Sequence, residues 1–67
     1  MTIGENIKNK RIEYDIDQQE LARRIGVSKT LICTIEKGVK TPSLAVIISI
    51  ADVLHCSVDE LLGRKVS

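Results

Sequence analysis

The sequence has no tryptophan and no phenylalanine, and Tyr14 stands alone among the large aromatic residues. Any core must therefore be aliphatic, built from Ile, Leu, Val and Ala. Capture of single strands or RNA by base stacking lacks the aromatic platforms it needs. Cysteine is scarce as well. Cys33 and Cys56 are too few for the disulfide framework of a small secreted domain. They lack a C-x-x-C spacing and have only His55 beside them, so a zinc site is not expected, nor any other metal or cofactor. Long apolar runs are absent: the longest, Leu44 to Ile48, is five residues, which rules out a membrane-spanning helix of the usual length. The N-terminal stretch shows no cleavable signal pattern, and a cytoplasmic protein is the expectation. No stretch alternates apolar and polar residues between turn dipeptides, which leaves a β reading little to stand on.

What is present is a 67-residue chain, 43% hydrophobic and 28% charged, a composition that suits a folded domain and not a disordered tail. A single domain over residues 1–67 is expected, and one this small relies on compact helices, a staple or a partner. The net charge is only +1, so the overall balance does not announce nucleic acid. The distribution says more. Eight of the ten bases lie in residues 1–40, although six acids share that stretch, whereas Leu44 to Gly63 carries three acids and no Lys or Arg. An anion-binding face belongs to the first forty residues.

Helix caps recur at short intervals. Thr2-Ile3-Gly4-Glu5 has the spacing of a capping box, and Ile3, Ile7 and Ile12 approximate an apolar stripe on a first helix reaching Tyr14. Asp17-Gln18-Gln19-Glu20 repeats the signal; Leu21, Ala22 and Ile25 form an apolar patch, and Gly26 suits a left-handed stop. Ser28 caps a third helix with Leu31, Ile32 and Ile35 inward, closed by Gly38. Thr41-Pro42-Ser43 predicts a helix start with Pro42 in the first turn, and the fourth helix is expected from about Leu44 to Leu54. Ser57-Val58-Asp59-Glu60 predicts another capping box on a short fifth helix that Gly63 ends, leaving a tail over 64–67.

The informative stretch is 17–38: a short helix, a tight Gly26-Val27-Ser28 turn and a second short helix. Helices joined this closely cross steeply, which makes a helix-turn-helix unit able to rest one helix N-terminus on a phosphate and project the other helix into a major groove. The run Gln18-Gln19-Glu20-Leu21-Ala22-Arg23-Arg24-Ile25-Gly26-Val27-Ser28 resembles the phage Cro/cI-type (XRE) helix-turn-helix repressors, as do Ile32, Ile35-Glu36-Lys37-Gly38 and Thr41-Pro42-Ser43-Leu44. Ala51, Leu54, Ser57, Asp59, Glu60, Leu61 and Leu62 continue the match, which covers roughly residues 5–62. The resemblance implies an all-α, compact five-helix, lambda-repressor-like DNA-binding domain.

It also implies roles for particular residues. Lys29, Thr30, Cys33 and Thr34 match the positions that read base edges: Lys29 as a donor to guanine, Thr30 and Thr34 through a hydroxyl or a methyl group. The alternative for Lys29 is a phosphate clamp or a solvated charge. Gln18 and Gln19 at the start of the second helix, Ser28, and Lys37, Lys40 and Thr41 at the exit of the third are candidate phosphate contacts, which position without reading sequence. Gln18 has a plainer reading as a solvated helix residue. Arg11 and Glu36 are expected to form a partly buried ion pair that fixes the recognition helix, although Arg11 is also long enough to reach a phosphate. Cys33 departs from the family's preference for a polar residue; it is read as a small residue near thymine or backbone, with a redox-sensitive thiol as the other possibility. Cys56 is expected as buried filler, and His55 as an adapted helix end in place of Gly and not a metal ligand.

The fourth helix is apolar almost all round, with only Ser49 and Asp52 polar between Leu44 and Leu54. A face of Leu44, Ile47, Ile50, Ala51 and Leu54 suffices for a core, which leaves Val46, Ile48 and Val53 over. Such a helix is fully buried or shared with a neighbour. The expectation is a homodimer through Val46, Ile48, Val53, Leu62 and Val66; burial of these residues within the monomer is the alternative. The functional expectation is a repressor that binds double-stranded DNA as a dimer on a palindromic operator. A helix-turn-helix module that binds a protein partner is the second reading. No small-molecule ligand is evident, and no nucleophile–base set suggests an enzyme.

Overall fold

The computed structural model describes residues 2–63. Five helices follow one another: α1 (Ile3–Glu13), α2 (Gln18–Ile25), α3 (Lys29–Glu36), α4 (Leu44–Val53) and α5 (Val58–Leu62). The described residues contain no strand, and none of their helices is long and apolar enough to cross a membrane. Val66 and the rest of the tail lie outside the described residues.

Each helix starts where a short polar side chain precedes it. Thr2, Asp17, Ser28, Ser43 and Ser57 all sit in extended backbone and accept a hydrogen bond from the N–H three residues on. Each satisfies a donor that the first helical turn leaves without a partner. Only Thr2 and Glu5 close a reciprocal capping box. In the two other candidate boxes the glutamate is drawn elsewhere: Glu20 to Arg23 and Arg24, Glu60 to Lys10. Pro42 is a correction to the expected helix start. Ser43 is the cap, so Pro42 lies just outside α4, buried, and not in its first turn. At the other ends Gly26, Gly38 and Gly63 adopt left-handed φ of 74–78°, and His55 takes the same conformation (φ 51°) after α4. There the Cys56 N–H reaches back to the Ala51 carbonyl and satisfies the end of the helix.

The core is aliphatic. Ile7, Leu21, Ile32, Ile35, Ile50, Leu54 and Leu61 are fully buried, one or more from every helix. Such a side chain contributes about 1.5–3 kcal/mol on burial. α2 packs on α3 and α4, α1 bridges α3 and α5, and α5 closes against α4.

Two apolar stripes differ from those expected. On α1 the inward residues are Gly4, Ile7 and Arg11, and Ile12 is exposed. Steps of three and four residues from Ile7 reach Gly4 and Arg11. Ile12 is one residue past that line and points to solvent. On α4 the buried residues are Ile47, Ile50 and Ala51, with Leu54 at the cap, and Leu44 is 67% exposed. Leu44 occupies the first helical position, off the centre of that face. Val46 and Val53 pack half-buried against the core on one flank, and Ile48, 47% exposed, stands on the other.

Candidate nucleic-acid interface

α2 and α3 meet through Gly26, Val27 and Ser28. The Val27 N–H donates to the Ala22 carbonyl and the Ser28 hydroxyl accepts from Leu31, so the turn is held from both sides. Ile32 and Ile35 bury the inner side of α3. The outer side is left as a ridge on which Lys29 and Thr30 are exposed and Cys33 and Thr34 are half-buried. These four residues, with Lys37 and Val39, enclose a shallow depression of about 440 Å³. Val39 is the member that sequence reasoning misses. It follows Gly38, whose left-handed turn lets the Val39 N–H donate to the Thr34 carbonyl at 3.1 Å. Nothing in the local sequence marks it except an aliphatic residue where the chain is otherwise polar.

Beside this depression a second one, about 350 Å³, is lined by Arg11, Asp17, Gln18, Gln19 and Lys29. The N–H groups of Gln18 and Gln19 have no acceptor within the helix they begin, whereas the Glu20 N–H is taken by Asp17 at 2.7 Å. Lys37, Lys40 and Thr41 are exposed at the exit of α3.

Behind the ridge lies a polar network. Arg11 donates from Nε to Glu36 Oε2 at 2.8 Å and from Nη2 to Glu36 Oε1 at 3.1 Å, a two-point pairing. Its Nη1 reaches the Ile16 carbonyl at 2.9 Å. The side chains are 11% and 4% exposed, so the pair is largely out of water. Gln18 donates from Nε2 to the same Glu36 Oε1 at 3.1 Å, which anchors the amide to the end of α3 instead of leaving it loose in solvent. Gly4 supports the same junction. A Cβ there would collide with the Ile35 carbonyl oxygen and stand 3.0 Å from that of Glu36, so α1 approaches the last turn of α3 at backbone contact. On its other side α1 is tied to α5 by Asn6, whose amide donates to the Leu61 carbonyl at 3.0 Å. Neither Gly4 nor Asn6 stands out in the sequence as a packing residue.

The charges are sorted. Glu20 binds both Arg23 and Arg24, and their hydrogen bonds bring its carboxyl down to about 2 from the usual carboxylate value. Lys10 pairs with Glu13 and Glu60, and Arg11 with Glu36. Among the described residues the bases that make no ion pair are Lys8, Lys29, Lys37 and Lys40, three of them on α3 or at its exit. From Ser28 to Ser43 the one acid is Glu36, already committed to Arg11.

The remaining features are modest. Cys33 and Cys56 are free thiols, both half-buried; burial pushes the Cys56 thiol up. Among the described residues no three His, Cys, Asp or Glu side chains are grouped to hold a metal ion. The Tyr14 and His55 rings lie 5.6 Å apart beside a groove lined by Asp15, Glu20, Arg24 and Val53, so Val53 faces α2.

Comparison with known proteins agrees with this geometry. A family model described as helix-turn-helix matches residues 7–61. The cryptic phage CTXphi transcriptional repressor RstR of Vibrio cholerae is 38% identical over 64 residues, which is 96% of this chain and 57% of that protein. The chain thus spans under two thirds of that relative's length. A crystal structure of the P22 c2 repressor in complex with synthetic operator 9T superposes with a TM-score of 0.90 at 29% identity, covering 97% of this chain and 98% of that one. SinR in complex with DNA, described as the master regulator for biofilm formation, gives 0.86 at 37% identity, covering 91% and 98%. The five-helix arrangement is that of the lambda-repressor-like domains, and the chain belongs to the Cro/cI-type (XRE) helix-turn-helix family.

Proposed function

We propose that the chain binds double-stranded DNA in a sequence-specific manner with α3 in the major groove, and that it represses transcription as a homodimer on a palindromic operator by occluding it. The observation that carries this reading is the sorting of charge: bases elsewhere are mostly neutralised by carboxylates, while those on and just after α3 are left for an external anion. Such a one-signed ridge suits a phosphate-lined groove. Lys29, Thr30, Cys33 and Thr34 face the bases in this arrangement. Gln18, Gln19, Ser28, Lys37, Lys40 and Thr41 hold the backbone on either side, Gln18 pre-set by its bond to Glu36. No reaction is involved: the protein is a regulator, not an enzyme, and its place is the cytoplasm, where its operator is.

Retention on heparin or a random duplex is expected to fall steeply as salt rises, because phosphate contacts release counterions. Lys40→Ala reduces the slope of log affinity against log salt by about 0.9, the share of the one phosphate that its ammonium group neutralises. Duplexes selected from a random pool should then show a consensus that Lys29→Ala relaxes at one position, at a loss of about 1–3 kcal/mol. A salt-independent profile would instead favour the protein-interaction module. An unchanged consensus in Lys29→Ala and Thr34→Ala would remove α3 as the reader.

One α3 spans only a few base pairs, and two copies match a palindrome. Ile48 on α4 and Leu62 on α5 are exposed apolar side chains suited to that contact, whereas Val46 and Val53 pack half-buried on the opposite flank of α4. Sedimentation is expected to show a dimer at high micromolar concentration that Ile48→Asp dissociates. A monomer at that concentration, with and without operator, removes the dimer.

A further inference from the structure

The chemistry of the α3 depression is unusual for a surface meant to distinguish bases. From Lys29 to Val39 there is no Asn, Gln, Asp or Arg, and the one Glu is held by Arg11. Adenine is ordinarily recognised by the paired donor and acceptor of an Asn or Gln amide, and cytosine by a carboxylate acceptor. Neither is available on this ridge. Thr34 is also less versatile than its hydroxyl suggests. That hydroxyl donates to the Thr30 carbonyl at 2.7 Å, so its proton is spent inside the helix and what remains is a methyl group and an acceptor. Cys33 adds a half-buried sulfur, a weak donor. Val39, 77% exposed, contributes an isopropyl group to the same depression. The surface thus combines the ammonium groups of Lys29 and Lys37 and the Thr30 hydroxyl with an apolar patch of Val39, the Thr34 methyl and Cys33.

Thymine alone among the four bases carries an apolar group, its C5-methyl, into the major groove. We infer that this depression reads the C5-methyl of a thymine in each half-site, and that Val39, outside α3 itself, is a specificity-determining residue. The inference rests on the reading that α3 enters the major groove. The lysines supply attraction to phosphate or to guanine acceptors, and the apolar patch supplies the discrimination.

The test uses the duplex selected from a random pool, with each thymine of the half-site replaced in turn by deoxyuridine. This removes the methyl group and keeps the pairing. One position per half-site is expected to lose about four-fold in affinity, the value of one buried methyl-sized group. In Val39→Ser the thymine-to-uracil ratio at that position falls toward about one, since the apolar wall that values the methyl group has gone. The ratio is taken within one variant, so any change in folded fraction cancels. A ratio near one at every position of a duplex that wild type still binds overturns the inference and leaves DNA binding standing. A selected half-site without thymine, or a ratio that Val39→Ser leaves unaltered, overturns it likewise. Failure to retain any duplex at low salt is a different result and sinks both readings.

Discussion

Glu36→Gln is expected to destabilise the fold by about 3–5 kcal/mol, read from urea or thermal unfolding. The change removes a charge but little volume, so the loss has an electrostatic origin. The Arg11 guanidinium stays where it is, largely out of water, and loses the carboxylate that both its Nε and Nη2 address. For 67 residues a total stability of about 3–10 kcal/mol is typical, so the loss removes a large fraction of it. The double variant Arg11→Met, Glu36→Leu is expected to be more stable than the single one, because exchanging a whole buried pair for apolar groups avoids a stranded charge. It should nevertheless bind DNA less well than wild type, since Gln18 loses its anchor on Glu36. A loss below about 1 kcal/mol for Glu36→Gln would show the pair to be screened by solvent, as exposed pairs are.

The second large effect concerns a residue with no side chain. Gly→Ala inside a helix ordinarily stabilises by about 0.5–1 kcal/mol. At Gly4 the sign is expected to reverse, with a loss of about 1–3 kcal/mol from overpacking. The new Cβ would meet the backbone carbonyls of Ile35 and Glu36 rather than a flexible side chain, so α1 must move off the end of α3. That movement pulls Arg11 from Glu36, which couples the two effects. Unfolding of Gly4→Ala against wild type decides the matter by sign alone: a gain in stability would mean that the two helices do not touch there. A stabilising result would also weaken the view that α1 sets the angle at which α3 is presented.

Much of the architecture is legible in short stretches of residues. The caps at Thr2, Asp17, Ser28 and Ser57, the left-handed stops at Gly26 and Gly63, and the aliphatic character of the core all follow from interactions that span three or four residues. A hydroxyl or carboxylate placed before a helix finds its N–H whatever the remainder of the chain does, and glycine tolerates positive φ anywhere. The family resemblance, carried by residues at fixed spacing, points to the same five helices. Which side of each helix faces inward is another kind of question, because it depends on where the other helices lie. Ile12 and Leu44 are apolar yet exposed, while Arg11 is charged and buried because Glu36 and the Ile16 carbonyl surround it. Glu60 carries capping-box spacing but is held by Lys10 of α1, whereas the arginines that hold Glu20 lie on its own helix. Gly4 and Val39 acquire meaning from partners beyond their own turn: the carbonyls of α3 for one, the depression beside Cys33 and Thr34 for the other. Local hydrogen bonds, ion pairs within one helix and backbone preferences are encoded within a turn of helix, whereas burial and charge pairing between helices, as in Arg11 with Glu36, are properties of surfaces that exist once the helices have packed.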